Sequence, residues 1–282
     1  MKQIVEMREM QSAALEVLKE FARVCEEQNL RYFLVYGTLI GAVRHNGFIP
    51  WDDDIDVMMP RKDYDKLLEY YKAHDSKDSV FKLFNMDTCA DYPYMISRLC
   101  DTRYYIDTDN EKDCGMGVFV DIYPYDGLGT DYAGAVKYAL KGDRLSSACF
   151  QSTRLRYTTK NTKSIIRNII KFPVFIISKI MGKEHYRRKL ENLAGRYDYE
   201  SSEYAACVVW LTGGEKDIFK REWFDDYIMM DFEDAKFRTP KEYDKVLRHT
   251  FGDYMQLPPK SEQTPHHFYK VYKKYYSVFF QV

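Results

Sequence analysis

Four of the five residues from 52 to 56 are aspartates, in the run Trp51-Asp52-Asp53-Asp54-Ile55-Asp56-Val57. From Asp54 the pattern alternates, and a strand sends side chains i and i+2 to one face. Ile55 and Val57 then turn to a core while Asp54 and Asp56 stand side by side. Two carboxylates with Cα atoms about 7 Å apart repel unless a cation lies between them. Their hard oxygen ligands suit Mg2+ or Mn2+. The chain must therefore build a strand with one face in a core and the other in a polar, cation-holding cleft.

The surrounding residues point to phosphate chemistry. Arg31–Tyr36 is a short β-rich run ending at Gly37, and Thr38–His45 reads as one or two helical turns. A glycine and a small hydroxyl residue at such a junction leave backbone N–H groups free to hold a phosphate, which makes Gly37 and Thr38 candidate ligands. Arg44 and His45 lie between the two elements and are candidate phosphate contacts. Asn46-Gly47 and Pro50 close the segment as a turn. A third carboxylate is needed to complete a metal shell or to act as a base. Asp121 fits, because in Gly117-Val118-Phe119-Val120-Asp121-Ile122-Tyr123 it interrupts an apolar strand, where an unpaired charge is expensive.

The remaining pattern predicts an α+β, mixed α/β fold. Residues 3–29 carry apolar side chains at three- and four-residue steps and read as an amphipathic helix. Strands are expected at 54–59, 80–85, 94–99, 103–107 and 116–123, with further strands or a hairpin in 203–211 and 223–237. Helices are expected from Pro60 to about His74 and over 130–150. Thr239-Pro240-Lys241-Glu242 reads as a capping box opening a helix that ends near Gly252. The division expected is a catalytic core over 1–129, a helical insertion over 130–200, and a C-terminal part, 201–282, that completes the core.

The insertion contains an unusual stretch. From Arg154 to Arg188 there are ten basic residues and one acid, Glu184, interleaved with Ile, Phe and Val. Its longest uncharged run, Phe172–Ser178, is far short of the roughly 20 residues that span a bilayer. A basic, strongly apolar segment of this kind can lie on an anionic membrane, although Pro173 is expected to break its helix. Interleaving with Ile and Phe, rather than with stacking aromatics, argues against nucleic acid as a partner, as does a net charge of −1. The six cysteines form no C-x-x-C pair and read as thiols of a reducing cytosol. The N-terminal residues have no apolar run of the signal-peptide type, which predicts a cytoplasmic protein. Aromatic residues make up 16% of the chain, enough to line a sugar or choline site as well as a core.

The run Tyr36–Arg61, YGTLIGAVRHNGFIPWDDDIDVMMPR, strongly resembles the signature of the LicD family, the LicD/fukutin-related group. GVFVDIYPYDG around Asp121, and YDKVLRHTFGDYMQLPP followed by His266 and His267, resemble two further family blocks. The resemblance implies a nucleotidyltransferase-like fold with helices flanking a mixed sheet. It implies transfer of phosphocholine, or a related phospho-alcohol, from a CDP-activated donor such as CDP-choline to a hydroxyl of a glycan or its lipid-linked precursor, releasing CMP. On this resemblance Gly37 and Thr38 hold donor phosphate, Asp54 and Asp56 bind metal, and Asp121 is the third carboxylate. Asp52 occupies another acidic position of the pattern, and His266 becomes a substrate contact. No cysteine cluster of the animal fukutin-related type is present, so no structural zinc is implied. Choline would favour an aromatic box, for which Trp51, Tyr36, Tyr92, Tyr94, Tyr123 and Tyr125 are the nearby aromatics. The localisation expected is cytoplasmic, with peripheral attachment at the inner face of the membrane where the basic segment docks. The alternatives in function are a nucleotidyltransferase that releases pyrophosphate from an NTP, and a non-catalytic glycan- or membrane-binding module. The acid cluster opposes the latter, because it would destabilise a fold with no cation to hold.

Overall fold

The computed structural model describes residues 4–76, 78–158, 165–265 and 269–274, with the backbone alone for 165–170. In chain order, the first half runs α1 (Met7–Glu27), β1 (Phe33–Leu34), α2 (Tyr36–His45), β2 (Asp56–Pro60), α3 (Arg61–Ala73), β3 (Phe81–Phe84), β4 (Ser97–Asp101), β5 (Tyr104–Asp107) and β6 (Val118–Gly127). The second half runs α4 (Tyr132–Thr153), α5 (Ile165–Met181), α6 (Lys183–Glu191), β7 (Tyr204–Ala206), β8 (Phe219–Lys220), β9 (Tyr227–Phe232), β10 (Ala235–Pro240), α7 (Tyr243–Phe251) and β11 (Lys270–Lys273).

The main sheet is mixed, in the order β1-β2-β6-β4-β3, with β7 continuing on β6 and β8 on β7. Strands β2 and β6 are parallel, and the other pairs in this sheet are antiparallel. Parallel neighbours need a long crossover, here the chain from α3 to β5. Met10, Ala14, Leu18, Phe21 and Cys25 of α1 follow the three- and four-residue spacing and are buried, and α1 packs against β4 and β6. The result is the mixed α/β, nucleotidyltransferase-like architecture expected from the sequence.

Several boundaries differ for identifiable reasons. Strand β6 runs past Tyr123 through Pro124 to Gly127. Its pairing with β4 ends at Ile122 and its pairing with β7 begins at Asp126, so Pro124 lies where that edge needs no donor. The capping box at 239–242 does not form. Thr239 and Pro240 end the β9–β10 hairpin, the Thr239 hydroxyl donates to the Ile228 carbonyl at 3.2 Å, and α7 starts only at Tyr243. Of 203–211, only Tyr204–Ala206 is a strand. Helix α5 continues through Pro173 instead of breaking there. All six cysteines are free thiols, four of them buried.

Candidate active site

Sheet register assembles the site. In the parallel pair Asp56 lies opposite Asp121, and in the antiparallel pair Arg98 lies opposite the same Asp121. Three charged side chains thus sit in one row across β2, β6 and β4, on neighbouring strands where side chains meet directly. The backbone around them is tied from both sides. Val35 N–H donates to the Asp56 carbonyl at 3.2 Å, and Asp121 N–H donates to the Ile55 carbonyl at 2.8 Å. The Asp56 N–H donates to the Thr38 hydroxyl at 2.8 Å. Asp54 falls just before β2 rather than on it. Its carboxylate nevertheless converges with those of Asp56 and Asp121, one oxygen from each lying within 4.8 Å of the others.

This convergence has an electrostatic cost that the protein only half offsets. Burial pushes the Asp56 carboxyl well above the usual carboxylate range, and the charges of Asp54, Asp121 and Asp52 add to that. Asp56 Oδ1 is buried with no hydrogen-bond partner among the described residues. Asp121 is compensated: Arg98 donates to its two oxygens at 2.6 and 3.3 Å. The Arg98 guanidinium lies 3.9 Å from the ring centroids of both Tyr94 and Phe119. A divalent cation among the three carboxylates would satisfy the orphaned oxygen and the like-charge crowding together, so this donor set fits Mg2+ or Mn2+.

The row forms part of a cavity of about 1090 Å³. Of the residues singled out in the sequence, Gly37, Arg44, Trp51, Asp52, Asp54, Asp56 and Asp121 line it. Thr38 and His45 do not line it, and His266 lies outside the described residues. Thr38 is buried and its oxygen holds the Asp56 N–H. His45 instead accepts from Arg44 Nε at 3.0 Å, in keeping with an imidazole whose pKa is lowered by burial and by the Arg44 charge. Arg44 also donates to the Tyr254 carbonyl at 2.6 Å, which ties α2 to the loop after α7. A Cβ at Gly37 would come within 2.7 Å of Asp52 Oδ2, so glycine is what lets that acid close on the first turn of α2. Tyr36, just before it, holds φ at 50°, a costly conformation for an aromatic residue. Its ring is pinned by an edge contact with Tyr123 and by a 3.2 Å hydroxyl pair with Tyr125.

Tyr36, Trp51, Tyr94 and Tyr123 line the cavity, whereas Tyr92 and Tyr125 are fully buried and do not. Phe150 of α4 and Trp210, neither singled out in the sequence, complete an aromatic wall. Phe150 stacks on Tyr94 at 5.6 Å, and Trp210 meets both rings at 5.5 Å. Trp210 precedes Thr212-Gly213, whose backbone N–H groups are capped by Asp217 at 2.7 and 2.5 Å. That T-G-G turn after an apolar run was the available signal. Lys216, in the same turn, joins Arg44 and Arg98 as a cation on the cavity. Arg103 pairs with Asp101 and opens onto a different groove, beside Glu9 and Lys273. Thr250 to Pro259 supply a further wall, so all three blocks that resemble the LicD family meet at one cavity.

The chain is similar to several known proteins. The family model LicD/FKTN/FKRP, nucleotidyltransferase domain, matches residues 29–138. A lipopolysaccharide cholinephosphotransferase LicD from Haemophilus influenzae is 31% identical over 274 residues, covering 94% of this chain and 97% of that protein. The ribitol 5-phosphate transferases FKRP of mouse and human are each 47% identical over 47 residues, 15% of this chain and 10% of theirs.

Proposed function

The chain belongs to the LicD/FKTN/FKRP family, whose named members include phosphotransferases, and from that premise we propose that it moves a phospho-alcohol, with phosphocholine favoured, from a CDP-activated donor to a hydroxyl of a glycan, releasing CMP. The observation that carries the reading is the in-register row Asp56–Asp121–Arg98 on the cavity, with Asp54 beside it and Asp56 Oδ1 unpartnered. Asp54, Asp56 and Asp121 would hold Mg2+ or Mn2+, which supplies charge neutralisation to a diphosphate and to the leaving nucleotide phosphate. Arg98 holds Asp121 in place. Arg44 and Lys216 add positive charge to the cavity for the donor phosphates. The acceptor oxygen attacks the phosphorus that carries the alcohol, the diphosphate bond breaks, CMP departs, and the hydroxyl proton passes to a carboxylate of the cluster. The aromatic wall favours choline over a polyol, because a quaternary ammonium is attracted to ring faces and a polyol is not. Trp51 and Trp210, both partly exposed on the cavity, are the rings assigned to it. The need for a CDP-linked donor supports a cytoplasmic site of action.

The test is nucleotide release from CDP-choline, CDP-ethanolamine, CDP-ribitol, CDP-glycerol and CTP, with Mg2+ or with EDTA, in the presence of a lipopolysaccharide acceptor. CMP from CDP-choline, dependent on Mg2+ and lost in Asp54→Asn, is the expected result. Pyrophosphate from CTP would replace the reading with a nucleotidyltransferase.

A further inference from the structure

Helix α5 is built the wrong way round for a surface helix. Among its described side chains, from Lys171 on, Phe175 and Ser178 are buried, while Phe172, Val174, Ile176, Ile177, Ile180 and Met181 are exposed, Ile180 at 78% and Ile177 at 55%. Pro173, Ile177 and Ile180 follow i, i+4, i+7 spacing and form one outward stripe. Phe175 and Ser178, three residues apart, turn to the protein, while Lys171 is exposed. Helix α5 rests on α4 and α6, and Lys179 reaches back to donate to the Ser152 carbonyl at 3.0 Å. Leu155, also exposed, adds to the apolar surface near this end of the fold. A water-facing helix with this many uncovered branched and aromatic side chains marks a docking surface.

Charge decides what docks. The charged residues of α5 are Arg167, Lys171 and Lys179, all basic; in α6 Lys183, Arg188 and Lys189 follow within two turns beside one acid, Glu184, while Arg187 is paired with Asp87 and Glu191. No helix among the described residues is long and apolar enough to cross a membrane. An apolar outward face backed by cations, on a helix too short to span, has the make-up of an element that lies in the interface of an anionic bilayer. We propose that α5 is a membrane-docking helix, which seats its Pro173–Ile177–Ile180 face among the acyl chains and its lysines at anionic headgroups. The surface is one helix from the chemistry, because Ser152, to which Lys179 bonds, is two residues from the cavity residue Phe150. Docking would therefore bring the cavity to the bilayer surface, where an acceptor on a lipid anchor is found. That consequence rests on the proposed transfer reaction, whereas docking itself does not.

Vesicle sedimentation of the full chain tests docking without any donor or acceptor, so its failure is separate from failure of the transfer reading. The probes are phosphatidylcholine vesicles and the same vesicles with about one quarter phosphatidylglycerol. The protein is expected to sediment with the anionic vesicles, much less with the neutral ones, and less as salt rises from about 0.1 to about 0.5 M. Ile177→Glu with Ile180→Glu is expected to lower the partition constant at least about tenfold while leaving the melting curve and CMP release unchanged. Equal recovery with and without anionic lipid overturns the proposal. So does undiminished binding of the double variant, or a dimer in solution that the double variant splits, since α5 would then be covered by a second copy.

Discussion

Replacing Arg98 with methionine removes the cation from a buried pair and leaves its partner in place. Asp121 is 3% exposed, its two oxygens take both Arg98 bonds, and Asp56 is its neighbour across the sheet. Breaking a buried ion pair from one side costs about 3–5 kcal/mol. The guanidinium is also lost from between Tyr94 and Phe119, each 3.9 Å away, which keeps the expected cost in the upper part of that range. Unfolding entropy of roughly 2.1 cal/mol/K per residue gives a chain of 282 residues about 0.6 kcal/mol/K, so a cost of about 4–5 kcal/mol should lower Tm by about 7–8 °C. Differential scanning calorimetry in EDTA reads this directly. Arg98→Met combined with Asp121→Asn removes both charges and should recover about 2–3 kcal/mol of the loss, since an apolar or neutral pair of similar shape has no stranded ion. Added Mn2+ should raise the Tm of Arg98→Met, because the cation takes over the compensating charge. A single substitution costing under about 1 kcal/mol, or costs that simply add in the double variant, would refute the reasoning.

Substitutions at three other positions carry further predictions. Thr38→Val strands the Asp56 N–H and should cost about 1–3 kcal/mol in a chemical melt, while Thr38→Ser, which keeps the oxygen, should cost less than about 1 kcal/mol. Trp210→Ala should raise KM for a choline donor about 5- to 30-fold with little change in kcat, and should leave a ribitol donor almost unaffected; an equal loss for both donors would remove the aromatic argument. Glu233 accepts from Arg8 at 2.6 Å and from the Phe48 N–H at 3.1 Å, and the Arg8 hydrogen bond is the main cause that holds its carboxyl below the usual range. Its contribution is therefore full above the unfolded value and is lost as pH falls through the lowered folded value. Glu233→Gln should cost about 0.5–1 kcal/mol at pH 7, with the gap to the wild type closing on acidification below about pH 4 in urea melts.

Much of the site was legible because its chemistry is local in sequence. The Asp-rich run that leads into β2, the Gly37 turn and Asp121 each break a rule that core residues keep, and the sheet then brings them together. Arg98 lies in an ordinary run, Met95-Ile96-Ser97-Arg98-Leu99, with no local mark of a role. Its role follows from the β4–β6 register, which pairs residues far apart in the chain. Phe150 and Trp210 were missed for a related reason, since each reads as an ordinary helix or strand apolar residue until α4 and the 207–213 loop are folded beside Tyr94. The capping box at 239–242 failed because the β9–β10 ladder had a use for Thr239 and Pro240 that local propensity does not weigh. Pro173 did not end the helix: α5 runs through it without the hydrogen bond that its missing N–H would have made to the preceding turn.

The central claim is that the carboxylate cluster, with a divalent cation, moves a phospho-alcohol from a CDP-linked donor. The most direct measurement follows CDP-choline by phosphorus NMR, with a lipopolysaccharide acceptor and Mg2+, for the wild-type chain and for Asp54→Asn with Asp56→Asn. The account predicts that the diphosphate signals decay as CMP and a new glycan phosphodiester appear in equal amounts, and that EDTA or the double substitution stops both. Full turnover by the double variant in Mg2+, or turnover by the wild type in EDTA, would contradict it.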